Sequence, residues 1–199
     1  MTKNLCKALL LVIICSNNLY SQEKAGVIFD NKLNWKEIVQ KAKREHKYIF
    51  IDCYATWCGP CKEMDRDVYP SSELGNEFNS KFISVKLQMD KTAKDNEYLK
   101  SWYSIADDFQ KNYNLQGYPS FLFFSPNGKL VHRSLGYKSK EALISLGKAA
   151  LDPNKQYFAL LGKYKKGKIT SEKDIKNFMN VARENGDKSI SNEVAEKYK

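Results

Sequence analysis

Two cysteines separated by two residues are the groups in this sequence best suited to chemistry. They lie in the hexapeptide Trp57-Cys58-Gly59-Pro60-Cys61-Lys62. On a helix this spacing places the two thiols one turn apart, which suits reversible formation of a disulfide. The thiolate of one cysteine can attack a substrate disulfide, and the second thiol can then resolve the mixed disulfide. We expect Cys58 to attack and Cys61 to resolve.

The residues around this pair predict that Cys58 lies at the start of a helix. The apolar run 48–55, rich in β-branched and aromatic residues, predicts a buried strand before it. Pro60 occupies a position typical of a first helical turn, and good helix formers follow over 62–68. Unpaired N–H groups and the helix dipole favour a thiolate there, and can lower the pKa of a thiol from ~8.5 to ~7 or below.

The same spacing is half of a zinc site, so a structural metal is the first alternative. Zinc takes about four ligands, usually from a second pair of Cys or His residues. The sequence has no second Cys-X-X-Cys, and its two histidines, His46 and His132, are far apart. We therefore predict a redox pair, with no metal and with no cofactor beyond the Cys58–Cys61 disulfide.

The first 21 residues have the pattern of a cleavable secretory signal. Lys3 and Lys7 provide a basic region, residues 8–14 form an apolar core, and Ser21 is a small residue at the expected cleavage point. The apolar stretch is shorter than the ~20 residues of a membrane-spanning helix. We therefore predict an exported protein, periplasmic or extracellular, with no permanent membrane span.

Cys15 raises the alternative of a lipoprotein anchored to the membrane. That alternative is less favoured, because Ile14 precedes it where a bacterial lipobox has a small residue. Cleavage after residue 21 would remove Cys6 and Cys15 and leave Cys53 as the odd cysteine, which we predict to be a buried small hydrophobe. Three cysteines are too few for a disulfide scaffold, so a hydrophobic core must hold the fold.

The chain is basic, with a formal net charge of +10 that becomes +8 when Lys3 and Lys7 are removed. Such a surface could favour acidic partners. Nucleic acid is not a predicted partner, because the lysines are scattered among acids and no helix carries an arginine-rich stripe. The densest basic run, 163–168, is predicted to be a solvated helix end.

Strand and helix patterns alternate over 27–151 and predict an α/β fold. Asn127-Gly128 between two apolar runs predicts a hairpin, and His132, in its second strand, is predicted to be half exposed and inert. The predicted strands are 27–29, 48–55, 82–87, 121–124 and 130–132, and the predicted helices are 35–46, 59–69, 72–78, 97–113 and 140–151.

In this order, the elements and motifs resemble the thioredoxin-fold family from about residue 27 to 151. The resemblance rests on Asp52, on 57–62, and on Gly117-Tyr118-Pro119-Ser120 leading into the hairpin. It implies a central mixed sheet flanked by helices, in a thioredoxin-like domain over 22–151. The stretch 68–70 is similar to the secreted and periplasmic branch, which includes the C-terminal domain of the disulfide-transfer protein.

The resemblance also implies roles for two charged residues behind the thiol pair. Asp52 corresponds to a buried carboxylate whose pKa is raised by desolvation and which exchanges protons with the resolving thiol, here Cys61. Lys86 matches the family's lysine in the following strand. Asp52 could also be a satisfied buried acid beside Lys86, and both roles can hold at once.

A substrate-binding surface is implied by the same resemblance. In the family, the proline equivalent to Pro119 is cis and lies against the disulfide, and the neighbouring backbone pairs with an extended substrate. Gly117 and Tyr118 belong to that backbone, and Gly117 would allow close approach. Trp57 would shield the disulfide and offer apolar contact. The motif is completed by Gly59, Pro60 and Lys62.

Residues 152–199 predict a helical C-terminal extension, opened by an N-cap and first-turn proline at Asp152-Pro153. It is too small to bury a good core alone, so we expect it to pack on the domain or to form a helical hairpin. A tetratricopeptide-like partner site would need about three repeats.

The segment 90–113 is longer than a compact thioredoxin requires and could cover the active site or extend a substrate groove.

These patterns lead to one favoured function and one alternative. The favoured function is an exported thiol:disulfide oxidoreductase that reduces or isomerises protein disulfides through Cys58 and Cys61, supplied by a membrane electron donor. The alternative is a non-catalytic protein-binding module that uses the thioredoxin-like scaffold and the helical tail. The sequence does not predict an oligomeric state.

Overall fold

A computed structural model describes residues 26–198, so the predicted signal sequence, with Cys6 and Cys15, lies outside the described part. Its centre is a five-stranded sheet in the order β1-β3-β2-β4-β5. β1 and β2 run parallel to β3, whereas β4 is antiparallel to β2 and β5 is antiparallel to β4. The strands are β1 (Phe29–Asp30), β2 (Tyr48–Tyr54), β3 (Phe82–Gln88), β4 (Ser120–Phe124) and β5 (Leu130–Leu135).

Helices cover both faces of this sheet and continue beyond it, which confirms the predicted thioredoxin fold with extra C-terminal helices. A five-residue π-helical turn, Met64–Val68, follows the second helix. The α-helices are α1 (Trp35–Glu45), α2 (Gly59–Glu63), α3 (Ser72–Asn79), α4 (Glu97–Ser101), α5 (Tyr103–Tyr113), α6 (Lys140–Leu151), α7 (Tyr157–Lys165), α8 (Glu172–Glu184) and α9 (Lys188–Lys197).

The central strand β2 sends alternate side chains into two separate cores. Ile49, Ile51 and Cys53 pack with α1 and α5 on one face. Phe50 packs with Met64, α3 and α6 on the other. Successive residues of a strand point to opposite faces, so Asp52 belongs to the Phe50 face. Cys53 is buried as predicted.

Local sequence signals explain several of the predicted element boundaries. Asn34 and Glu37 form a reciprocal capping box at the start of α1. Ser71 restarts the chain as a helix just after Pro70, where the preceding helix has ended. The hairpin turn between β4 and β5 has Gly128 at φ +76°, a conformation that glycine adopts without strain.

Three predicted helices differ from the structure. The helix expected over 59–69 is α-helical only to Glu63 and continues as the π-helical turn Met64–Val68. The helix expected over 97–113 is divided into α4 and α5 at Trp102, whose buried indole packs in the α1–α5 core. The helix expected to begin at Asp152 begins at Tyr157 instead. Asp152 Oδ1 accepts the backbone N–H of Asn154 at 2.9 Å. The backbone carbonyl of Asp152 accepts the N–H of Lys155 at 2.8 Å. These bonds hold a turn in place of a first helical turn.

The first strand is also displaced from its predicted position. Residues 27–29 were expected, but β1 begins at Phe29. The Val27 N–H donates to the Tyr69 carbonyl at 2.8 Å and the Ile28 N–H donates to Asn79 Oδ1 at 2.9 Å. These two residues therefore bond to the helical layer rather than to β3.

Helices α7 to α9 form a small core of their own and cover the edge strand β5. The Arg133 N–H donates to Asn185 Oδ1 at 3.0 Å, and the Ser134 hydroxyl donates to the Glu184 carbonyl at 3.0 Å. Satisfying edge groups in this way protects a sheet from pairing with another chain. Within residues 26–198, no helix combines the length and apolar character that crossing a membrane requires.

His132 contradicts its prediction, because it is buried rather than half exposed. Its side chain lies under the extension, and Nδ1 accepts the N–H of Tyr157 at 2.9 Å. The partner is 25 residues away in sequence, so the strand pattern around His132 gave no sign of it.

Candidate active site

Cys58 and Cys61 are joined by a disulfide at the point where β2 passes into α2. A short turn, closed by the Cys58 N–H donating to the Ala55 carbonyl at 3.0 Å, brings Cys58 to the N-cap of α2. Its Sγ accepts the Cys61 N–H at 3.1 Å. When the disulfide is reduced, this N–H and the helix dipole favour a thiolate on Cys58.

The loop before β4 lies beside the disulfide. Ser120 pairs with Cys53 near the end of β2, which brings Pro119 to the edge of the sheet that carries the cysteines. The Tyr118–Pro119 bond is cis, as predicted. Tyr118 packs against the small cluster of Ala55 and the two cysteines.

Trp57 and Tyr118 form an exposed aromatic surface next to the disulfide. The Trp57 side chain is 71% exposed, and the two ring centroids are 6.0 Å apart. Gly59, Pro60 and Lys62 are also exposed at this rim. A Cβ on Gly117 would meet only Leu135, at 3.7 Å. The fold itself therefore leaves room for a side chain at position 117. The role of Gly117 in allowing a substrate to approach closely stays a prediction.

Asp52 is fully buried beneath the helix that carries Cys61. Its neighbours on the same face of β2 are Phe50, which packs with Met64, and Tyr54, which packs against the two cysteines. Neither carboxylate oxygen has a hydrogen-bond partner among the described residues. Burial raises the pKa of Asp52 to about 6, and the Lys86 ammonium only partly opposes that rise.

Lys86 is nearer to a second acid than to Asp52. Its Nζ lies 3.8 Å from Asp52 Oδ2, but it makes its close ion pair with Asp65. It also lies over the ring of Tyr54 at 4.7 Å and that of Tyr69 at 5.5 Å. Lys86 therefore lies beside Asp52, as predicted, but it does not satisfy the carboxylate, because neither Asp52 oxygen accepts a hydrogen bond from residues 26–198.

Asp65 is the residue of this site that sequence reasoning missed. It lies in the π-helical turn, four residues after Cys61, and this turn presents it to Lys86. The spacing was a usable signal, because residues four apart on a helix share a face. A π-helical turn is common at functional sites, but nothing in the sequence predicted one here.

We expect Asp65→Asn to lower the pKa of Asp52 below about 6. The change removes a negative charge that raises this pKa, and it frees Lys86 to pair with Asp52, which acts in the same direction. NMR titration of the Asp52 carboxyl carbon in the disulfide form measures the shift. Asp67→Asn is the matched control, because Asp67 is exposed and pairs with Arg66. Equal shifts in the two variants would contradict the role given to Asp65.

The segment 90–113 supports the site from the side rather than lying over the disulfide. Asp90 accepts the N–H of Thr56 at 3.0 Å and also its hydroxyl, which fixes the turn before Trp57. α5 packs on the Cys53 face of the sheet, and Gln110 Oε1 accepts the Tyr118 hydroxyl at 3.1 Å. Over 26–198, no three His, Cys, Asp or Glu side chains converge as a metal site.

Comparison with known proteins gives a consistent result. A family model described as a thioredoxin-like domain matches residues 35–151, ending where α6 ends. A putative disulphide-isomerase from Bacteroides thetaiotaomicron is similar in structure, with a TM-score of 0.53 and 29% identity, covering 64% of this chain and 95% of that one.

Two curated relatives are similar over part of their length. Thioredoxin-1 of Drosophila melanogaster is 31% identical over 87 residues, which are 44% of this chain and 65% of that protein. The thiol:disulfide interchange protein DsbD of Pseudoalteromonas atlantica is 28% identical over 107 residues, 54% of this chain and 16% of that protein. The chain thus spans less than two thirds of either relative.

Proposed function

The chain belongs to the thioredoxin-like domain family, and on that premise we propose that it is a thiol:disulfide oxidoreductase that reduces or isomerises disulfides in other proteins. The observation that carries the proposal is the Cys58–Cys61 disulfide at the start of α2. Beside it are an exposed Trp57 and the cis Tyr118–Pro119 loop, and beneath it is the carboxylate of Asp52, which accepts no hydrogen bond from residues 26–198.

The proposed reaction is a two-electron exchange in two steps. The Cys58 thiolate attacks one sulfur of a substrate disulfide, forming a mixed disulfide and releasing the other substrate sulfur as a thiolate. Asp52 accepts the proton of Cys61, whose thiolate then attacks Cys58 Sγ. The substrate leaves as a dithiol, and the Cys58–Cys61 disulfide is regained. A membrane electron donor is the proposed source of the two electrons that reduce it again.

Catalysed reduction of insulin by dithiothreitol tests the proposal. The chain is expected to accelerate precipitation of the insulin B chain well above the uncatalysed rate. A fully reduced, folded protein without effect on insulin or on other disulfides would overturn the proposal. That result would favour the alternative function, a non-catalytic binding module that uses the thioredoxin-like scaffold and the helical tail.

The direction of electron flow is proposed from the two residues between the cysteines. Gly59-Pro60 resembles the motif of reducing members of the family. We therefore expect the Cys58–Cys61 pair to have a potential near ~−270 mV, the value of a reductant, rather than near ~−120 mV, the value of a strong oxidant. Equilibration against defined ratios of reduced and oxidised dithiothreitol, read by thiol alkylation, measures it.

Action outside the cytoplasm is proposed from residues 1–21. Their basic start, short apolar core and small final residue support an export signal. Fusing residues 1–25 to alkaline phosphatase, which is active only after export, tests this in a bacterial host. A fusion that stays inactive and uncleaved would contradict export, but it would not contradict the proposed thiol:disulfide exchange.

A further inference from the structure

A tyrosine that the proposed reaction does not use is buried on the same side of the sheet as Asp52. Tyr69 follows the π-helical turn and packs in the core that contains Phe50. Its ring meets that of Phe29 edge-on, with 4.9 Å between the ring centroids. Lys86 Nζ lies 5.5 Å from the centre of the Tyr69 ring and 3.8 Å from Asp52 Oδ2. The phenol and the carboxylate are therefore neighbours of the same cation.

Backbone contacts on both sides fix the position of Tyr69. Its N–H donates to the Met64 carbonyl at 3.0 Å, five residues back, which is the bond of a π-helix. Its carbonyl accepts the Val27 N–H at 2.8 Å. A Cβ on Gly26 would lie 2.2 Å from the Tyr69 carbonyl oxygen, so this close approach requires a glycine. The phenol ring is therefore held in place by the backbone as well as by packing.

The Tyr69 hydroxyl is a buried donor without an acceptor, and Asp52 is a buried acceptor without a donor. Neither the hydroxyl nor either carboxylate oxygen has a hydrogen-bond partner among residues 26–198. Buried polar atoms are nearly always paired, so three unpaired atoms in one region need an explanation. Burial raises the pKa of both groups. The Lys86 ammonium and then the Tyr69 hydroxyl oppose the rise at Asp52, whereas the carboxylate adds to the rise at Tyr69.

The other titratable groups around Asp52 already have partners. They are Lys86 of β3, Asp65 of the π-helical turn, Tyr54 of β2 and the Cys58–Cys61 pair of α2. The lysine and the aspartate form a close ion pair, and the two thiols are joined as a disulfide. The Tyr54 hydroxyl donates to Gln88 Oε1 at 3.2 Å. The Tyr69 hydroxyl is therefore the donor near Asp52 that no other group of the described chain has taken.

We propose that Tyr69 is a positioning residue for Asp52, and that its hydroxyl donates a hydrogen bond to the carboxylate when Asp52 is ionised. A donor at this place favours the charged form of the acid, so Asp52 can accept a proton near neutral pH although it is buried. Burial keeps the phenol protonated, so Tyr69 acts as a donor and not as a second base. The inference rests on the proposed exchange reaction, in which Asp52 is the base for Cys61.

Tyr69→Phe tests the inference, because it removes the hydroxyl and keeps the ring. A hydrogen bond to a charged group changes a pKa by about one or more, so the pKa of Asp52 is expected to rise from about 6 to about 7. NMR titration of the Asp52 carboxyl carbon in the disulfide form measures the rise. Tyr48→Phe is the matched control, because Tyr48 is a half-buried tyrosine of the same core at the opposite end of β2. It is expected to leave the pKa of Asp52 unchanged.

The pH profile of thiol exchange separates this role from a merely structural one. In Tyr69→Phe, resolution of the mixed disulfide is expected to slow ~fivefold at pH 6, because a base with a pKa near 7 is then mostly protonated. At pH 8.5 the rate is expected to be nearly that of the wild type. Lost packing would instead slow the reaction equally at both pH values. In the Asp52→Asn background, Tyr69→Phe is expected to have no further effect on resolution.

Two results would overturn the inference. The first is an Asp52 pKa that Tyr69→Phe leaves unchanged, and the second is slower resolution that persists in the Asp52→Asn background. Either result in a chain that still reduces insulin would leave the proposed function standing. If the wild-type chain did not reduce insulin, the proposed function would fail, but a raised Asp52 pKa in Tyr69→Phe would still support the hydrogen bond.

Discussion

Replacing Cys58 with serine is expected to abolish catalysed insulin reduction and leave only the rate of dithiothreitol alone. A serine hydroxyl cannot form a disulfide, so no mixed disulfide arises and the first step is lost. The effect is therefore a complete loss of catalysis rather than a change of KM. Precipitation of the insulin B chain over a range of enzyme concentrations measures it, and the variant is expected to show no dependence on concentration.

Cys61→Ser is expected to fail at a different step. Cys58 still attacks, but no second thiol releases the substrate, so the mixed disulfide accumulates. Non-reducing electrophoresis should show a covalent adduct that dithiothreitol removes. If Cys58→Ser formed the adduct and Cys61→Ser did not, the two roles would be reversed.

Cys53 provides the matched control for both variants. It lies on the opposite face of β2, and burial raises the pKa of its thiol well above the usual value, which makes it a poor nucleophile. Cys53→Ala is expected to keep full insulin reduction and to form no adduct. Activity that disappeared in this variant, with the fold intact, would show that the reactive pair had been wrongly assigned.

The parts of this molecule that sequence could predict are those fixed by neighbouring residues. The capping box of Asn34 and Glu37, the break at Pro70 and the glycine turn at Gly128 all act within a few positions along the chain. The cysteine pair is equally local. Its placement at a helix start therefore followed from the strand before it and the proline after it.

The features that sequence could not predict depend on contacts between distant segments. Lys86 makes its close ion pair with Asp65, 21 residues away, and stays 3.8 Å from Asp52, whose oxygens accept no hydrogen bond from residues 26–198. His132 is buried because Tyr157 covers it. Composition and periodicity report which face of an element is apolar, but they do not report which of two acids a lysine reaches. For this reason His132, in a strand of mixed polar and apolar residues, was predicted to be half exposed, although the C-terminal extension covers it.

Asp52→Asn is expected to make the folded protein more stable at neutral pH. The pKa of Asp52 is about 6 in the folded state, against 3.8 for an ordinary Asp. Because the folded pKa is raised, the native state binds this proton more tightly, and that stabilisation is complete below pH ~4. It is lost as pH rises through 6, and the loss amounts to about 3 kcal/mol at pH 7. Asparagine has no carboxyl group to ionise, so the variant does not lose this stability as the pH rises.

Urea unfolding of the disulfide form at pH 7.5 and at pH 4 measures this gain. The variant should exceed the wild type by up to about 3 kcal/mol at pH 7.5, and the difference should nearly vanish at pH 4. Asp107→Asn, an exposed acid paired with Lys91, is the control and should change the free energy of unfolding by less than ~0.5 kcal/mol. A less stable Asp52→Asn variant at pH 7.5 would show that Lys86 compensates the buried charge.

The same substitution is expected to slow thiol exchange, because an amide cannot accept the proton of Cys61. General-base assistance is typically worth ~10²- to 10⁴-fold, so resolution of the mixed disulfide should slow about a hundredfold while attack by Cys58 is nearly unchanged. Rapid acid quenching should then trap the mixed disulfide in Asp52→Asn but not in Asp107→Asn. If Asp52→Asn makes the protein more stable but slows resolution of the mixed disulfide, Asp52 is a functional acid rather than a structural one. A structural acid would lose stability when neutralised and would leave the rate of resolution unchanged.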